Sequence, residues 1–98
     1  MNPSKVRRDR LTRLTDLPNI GPAMAKDFEL LGIKKPEHLR GRDPLRLYKE
    51  LCKKTKSRQD PCVLDTFISV VRFMNGDKPK PWWSYTTERK KAYRHDLG

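Results

Sequence analysis

Proline placement sets the first limit on this chain. Eight prolines are spread over 98 residues. A proline can open a helix but breaks one from inside, because its ring blocks the preceding turn and it has no N–H to donate. The chain therefore reads as short helices joined by turns. Pro18 disfavours helix at Leu17, so a first short helix over Asp9 to Thr15, with Leu11 and Leu14 on one face, stops before it. Pro22 opens a second helix that runs to Leu31 and ends at Gly32, a left-handed cap. Its inward face is Ala25, Phe28 and Leu31, with Met24 beside them. Pro36 to Arg40 makes one helical turn, closed by Gly41.

Asp43-Pro44 is a stronger start signal, with Asp as N-cap and Pro at the first helical position. The helix it opens carries Leu47, Tyr48, Leu51 and Cys52 on one face and runs out near Lys56. Asp60-Pro61 repeats the signal. The helix from Pro61 to Met74 is apolar over most of its circumference, which marks it as the central core helix; Asn75-Gly76 ends it. Lys78-Pro79-Lys80-Pro81 reads as an extended connector, followed by Trp82, Trp83 and Tyr85. A last basic helix is expected from Thr87 to His95, with Thr86 as its cap. The expected fold is all-α, a small bundle of five or six short helices. Residues 1–8 form a flexible basic arm and residues 9–98 a single domain.

The charge narrows the partners. The net charge is +11, a field that attracts polyanions. It is uneven: residues 1–58 hold 16 Lys and Arg against 7 acids, and residues 59–98 hold 7 against 5. The two cysteines, Cys52 and Cys62, are too few for a secreted disulfide framework. The N-terminus is polar and basic with no apolar run behind it, and no segment approaches a transmembrane length. The expectation is a cytoplasmic protein with reduced thiols and no membrane contact.

One turn carries specific chemistry. In Leu17-Pro18-Asn19-Ile20-Gly21-Pro22-Ala23, the chain reverses between two helices. Gly21 and Asn19 are the residues that tolerate the unusual backbone angles such a turn needs. Ile20 plugs the gap between the helices, and the small Ala25 lets them approach. The first N–H groups of a helix have no internal partner. With the turn amides they form a donor site at a positive helix end, suited to a phosphate oxygen and blind to base sequence. Lys26, one turn in, adds charge.

These residues resemble the helix-hairpin-helix motif of DNA-repair and DNA-processing proteins. The likeness rests on the Pro-x-Ile-Gly turn, Ala25 and Phe28, and departs at Asn19, where that family has glycine. Gly41, Leu45 and Tyr48 repeat the spacing of Gly21, Ala25 and Phe28 as a degenerate second unit, with Leu39-Arg40-Gly41 as its turn. By resemblance, Arg40, Gly41 and Arg42 would hold a second phosphate. The chain as a whole is similar to the pathogenicity-locus family of short helix-hairpin-helix proteins, bacterial proteins some of which are labelled mitomycin resistance protein. Beyond Leu17 to Ala23, the carrying residues are Leu39 to Pro44, Asp60 to Asp65, Pro81 to Thr86 and Glu88-Arg89-Lys90. The label implies tolerance of DNA damage without naming a reaction.

The remaining residues fit structural roles. Trp82 and Trp83 could stack on unpaired bases or meet a protein partner, but at least one is expected to fold over the core helix. Cys52, Cys62 and His38 lack zinc-site spacing. Asp65, on so apolar a helix, needs a partner, with Arg72, Arg58 or the indole N–H groups as candidates. No nucleophile elbow, Walker loop or cluster of acids points to catalysis, and His95 lies too near the chain end to act as a base. The expected function is non-catalytic, sequence-independent binding of DNA backbone phosphates, with RNA left open. Asn19, Ile20, Gly21, Ala23 and Lys26 form the first site and Arg40, Gly41 and Arg42 the second. The basic arm at Arg7, Arg8 and Arg10 adds diffuse attraction. No catalytic residue, metal or cofactor is expected. The alternative is a helix-hairpin-helix scaffold acting as a protein-interaction module through Trp82 and Trp83.

Overall fold

The segment from Pro61 to Met74 folds as the most apolar of the four α-helices, and the other described elements pack around it. A computed structural model describes residues 8–97, with backbone alone for Arg10 and for residues 93–97. The helices are α1 (Pro22–Leu30), α2 (Pro44–Thr55), α3 (Pro61–Met74) and α4 (Thr86–Leu97), with 3-10 turns at Arg8–Arg10, Leu14–Asp16, Pro36–Leu39 and Trp82–Tyr85. No strand occurs among the described residues. The fold is all-α. On α3 every residue from Leu64 to Val71 is buried, as are Phe73 and Met74. Phe67 stacks on Phe28 of α1, with ring centroids 4.9 Å apart. Burying a side chain of that size contributes about 1.5–3 kcal/mol. Leu47, Tyr48 and Leu51 of α2 and Leu17, Ile20, Ile33 and Leu39 of the turns complete the same core.

The proline-opened helices lie where expected, and α3 matches its expected limits residue for residue. Asp43 and Asp60 cap α2 and α3, each accepting a hydrogen bond at 3.0 Å from the amide two residues on. The α2–α3 link is sealed by side chains. The Tyr48 hydroxyl donates to the Gln59 carbonyl, and the Gln59 amide donates to Cys52 Sγ at 3.4 Å.

Four expectations need correction. The expected helix over Asp9 to Thr15 is two separate 3-10 turns. The Asp16 carboxylate accepts from the amides of Thr12 and Arg13 at 3.0 and 2.8 Å, a local alternative that competes with an α-helical ladder. Thr86 lies within α4, and its hydroxyl donates to Asp65 at 2.7 Å instead of capping its own helix. Asp65, 0% exposed, finds its charge partner not in Arg72, Arg58 or an indole but in Arg89, at 2.8 Å. The sequence pattern missed this pair because it joins two helices across 24 residues. Finally, Gly21 does not need glycine's freedom. Its φ of −96° and ψ of −176° are ordinary extended backbone. In the two hairpin turns the left-handed positions are Asn19 (φ 67°) and Gly41 (φ 75°).

The C-terminus of α3 gathers distant parts of the chain. Arg8 donates to the carbonyls of Phe73 and Asp77, both at 2.6 Å, with its guanidinium 4.0 Å from the Phe73 ring centroid. Arg40 donates to the Met74 carbonyl at 3.3 Å. Cations at the carbonyl end of a helix oppose its negative dipole. Residues 1–7 of the expected basic arm, including Arg7, and the side chains of Arg10 and His95 lie outside the described residues.

Candidate nucleic-acid interface

Two stretches of backbone repeat at a spacing of 22 residues. In each, a side chain accepts the amide of the residue four positions earlier: Asp16 from Thr12, and His38 Nδ1 from Lys34 at 3.2 Å. The accepting residue lies in a 3-10 turn, after which come a left-handed residue (Asn19, Gly41), an extended N-cap (Gly21, Asp43) and a proline that opens a helix (Pro22, Pro44). This register corrects the one suggested by glycine spacing. Gly41 occupies the position of Asn19, not of Gly21, because the left-handed angle and not the helix cap is what demands glycine or asparagine. The second copy thus carries glycine where the first carries asparagine. The repeat ends with the turn. α1 buries Phe28 and α2 buries Leu47, Tyr48 and Leu51, faces that do not correspond at this spacing.

The amides of the two turns meet different partners. In the second turn the Gly41 amide donates to Asn75 Oδ1 at 3.0 Å, the Arg42 amide to the Leu39 carbonyl at 3.2 Å, and the Leu45 amide to the Asp43 cap. In the first, α1 starts at Gly21 with no side-chain cap. The Ala23 amide, counterpart of Leu45, has no protein acceptor among the described residues. Pro22 and Ala23 are exposed and Gly21 is half-exposed. Asn19 is held from the inside: its Nδ2 donates to the Lys80 carbonyl at 2.8 Å and to Ser69 Oγ at 3.1 Å. The turn is therefore anchored to α3 and to the proline connector while its outer rim stays open.

The expected site residues divide accordingly. Gly21, Ala23 and the exposed Lys26 lie at the open rim of α1. Ile20 is 0% exposed; it plugs the turn as expected and offers no surface to a ligand. Asn19 acts through its side chain as the anchor. Arg40, Gly41 and Arg42 are exposed, but Arg40 Nε and the Gly41 and Arg42 amides are already taken up within the fold. The sequence reading missed Asn75 and Lys80, which fix the two turns. It named Arg42 but missed the row of exposed cations that continues from it, Arg46, Lys49 and Lys53. Their spacing of 4, 3 and 4 was the available signal: on a helix it puts Arg46, Lys49 and Lys53 on one stripe, here the face opposite Leu47 and Leu51.

Other chemistry at the surface is sparse. Burial, then the Asp60 carboxylate, pushes the Cys62 thiol up from its usual range, which keeps it protonated and a poor nucleophile. The Cys62 amide holds the Asp60 carboxyl below the usual carboxylate range. Among the described residues, no three His, Cys, Asp or Glu side chains gather in a group that could hold a metal ion. No helix among them is long and apolar enough to cross a membrane.

The chain is 45% identical over 78 residues to "Mitomycin resistance protein McrB" of Streptomyces lavendulae, a match that covers 80% of this chain and 74% of the relative. No solved structure matches it. The description of the pathogenicity-locus family (Cdd1) matches residues 7–91, a span that includes both turns, the core helix and the start of α4. On that match and that relative, the chain belongs to the pathogenicity-locus family.

Proposed function

We propose that this protein binds nucleic acid, DNA in the first instance, through backbone phosphates and without catalysis, and that the turn at Asn19 to Ala23 holds one of them as a helix-hairpin-helix turn does. One observation carries the reading. Three helices open on proline; two are capped by aspartate, and α1 alone opens on glycine with no side-chain cap. An aspartate there would occupy the first amides and place a negative charge over them. Glycine leaves the donors of Ala23 and its neighbours, and the positive end of the helix dipole, for an anion. The net charge of +11 supplies the long-range attraction, and the stripe of Arg46, Lys49 and Lys53 gives a strand of phosphates further cations to lie along. Such contacts carry no base sequence. The mitomycin-resistance name of the relative fits an accessory role in DNA repair or damage tolerance, in a cytoplasmic setting.

Salt dependence tests the reading. With about four phosphates neutralised on duplex DNA, log K against log[salt] falls with a slope of about −3 to −4. A flat response, or no binding at low salt, contradicts it.

A further inference from the structure

We infer that Trp83 is a stacking platform for an unpaired base, next to the phosphate position at the first turn. The inference rests on the phosphate reading above and names the class of nucleic acid that the same surface takes: a strand end, overhang or gap in preference to continuous duplex.

Trp83 is 62% exposed, the most exposed large apolar side chain among the described residues. It is also rigidly mounted. The 3-10 turn Trp82–Tyr85 is fixed at its far end by Tyr85, only 4% exposed, and closed by the Ser84 amide donating to the Pro81 carbonyl at 3.0 Å. Trp82 is half-buried and meets Trp83 edge-on, with centroids 5.7 Å apart and planes at 83°. An edge-to-face contact supports the indole and leaves it at least one face for another partner.

Its position gives it a ligand. The Asn19 side chain binds the Lys80 carbonyl at 2.8 Å, so the connector lies against the first turn. Three residues of chain then span at most about 10 Å to Trp83, on the order of three nucleotide rises of one strand. A strand whose phosphate sits at Gly21 and Ala23 therefore brings a base within reach of the indole. The local charge agrees. Lys78 and Lys80 are exposed, while the nearby carboxylates of Asp77 and Glu88 are both engaged by Arg72. This basic, proline-stiffened surround suits a nucleotide better than an apolar protein face. Inside a continuous duplex a paired base has both faces covered by its neighbours in the stack, so the base that Trp83 takes from within a strand is an unpaired one.

The test uses the full chain at low salt, with a blunt duplex and the same duplex carrying a short unpaired overhang. Trp82→Phe leaves Trp83 as the sole indole, and its fluorescence should be quenched by the overhang and not by the blunt duplex. Trp83→Ala should weaken the overhang complex about tenfold, the effect of losing one stacked base, and leave the blunt complex within about twofold; Trp83→Phe should recover most of the loss. Unchanged affinity for both DNAs in Trp83→Ala overturns the inference and is the result expected of a protein-docking tryptophan. The phosphate reading fails separately. If overhang binding needs Trp83 but survives Gly21→Asp, stacking stands and the phosphate position falls. If the parent protein binds neither DNA, both fall.

Discussion

The turns at residues 18–22 and 40–44 share a backbone pattern, each with a left-handed residue two places before an extended helix cap. Each is pinned to α3 by one asparagine: Asn19 reaches out from the first turn to Ser69, and Asn75 reaches from the end of α3 to the Gly41 amide. They part at the cap. Asp43 accepts the Leu45 amide at the start of the second helix, whereas Gly21 offers the first helix no side-chain acceptor. The same chain reversal thus leaves two different helix starts; one side chain at the N-cap decides whether the first donors are spent on the fold or left open, and the proposed phosphate site depends on the second case.

Exchanging the caps breaks the comparison most severely. Gly21→Asp places a carboxylate over the open amides and should lower duplex affinity about tenfold or more, measured by fluorescence anisotropy at low salt. Its stability should change by only about a few tenths of a kcal/mol, because glycine and aspartate are close as N-caps. Asp43→Ala should do the reverse, costing about 1 kcal/mol in a urea melt and leaving affinity within about twofold.

The backbone angles give a second contrast. A Cβ at Gly21 or Gly41 meets nothing within 4 Å, so only the angles differ. Gly41→Ala must hold φ near 75° and should lose about 1–2 kcal/mol. Gly21→Ala should lose less, about 0.5 to 1 kcal/mol, since its backbone is ordinary and only the N-cap preference for glycine over alanine is given up. Equal losses at the two positions would contradict the repeat at 22 residues.

Acid should affect the two turns unequally, and least. Backbone hydrogen bonds from Arg13 and Thr12 hold the Asp16 carboxyl below its ordinary 3.8. A carboxyl lowered by folding adds stability above its unfolded value, and that stability is lost as pH falls through 3.8 towards the folded one. The approach to the first turn should therefore loosen below about pH 4, and Asp16→Asn should flatten that part of a plot of Tm against pH. The second turn has His38 in this position and does not share the carboxylate.

What the sequence made legible was local. Asp-Pro pairs, the apolar run of α3 and the left-handed Asn19 each follow from short-range sterics and capping, and all are found. The misses came from contacts between distant segments. Asp65 with Arg89, Asn19 with Lys80 and Gly41 with Asn75 join residues 24 to 61 positions apart, and no periodicity encodes them. The first segment failed as a helix because Asp16 competes for its amides, an effect that apolar spacing does not register. At the candidate site, glycine spacing suggested the wrong partner for Gly21, since a glycine can mark either a left-handed angle or an uncapped helix start.

An amide-resolved titration with short duplex DNA tests the central claim most directly. The account predicts that the N–H signals of Gly21, Ala23 and Met24 shift first and furthest, while those of Gly41, Arg42 and Leu45, already bonded within the protein, move little. Large shifts confined to the second turn, or none at the start of α1, would contradict it.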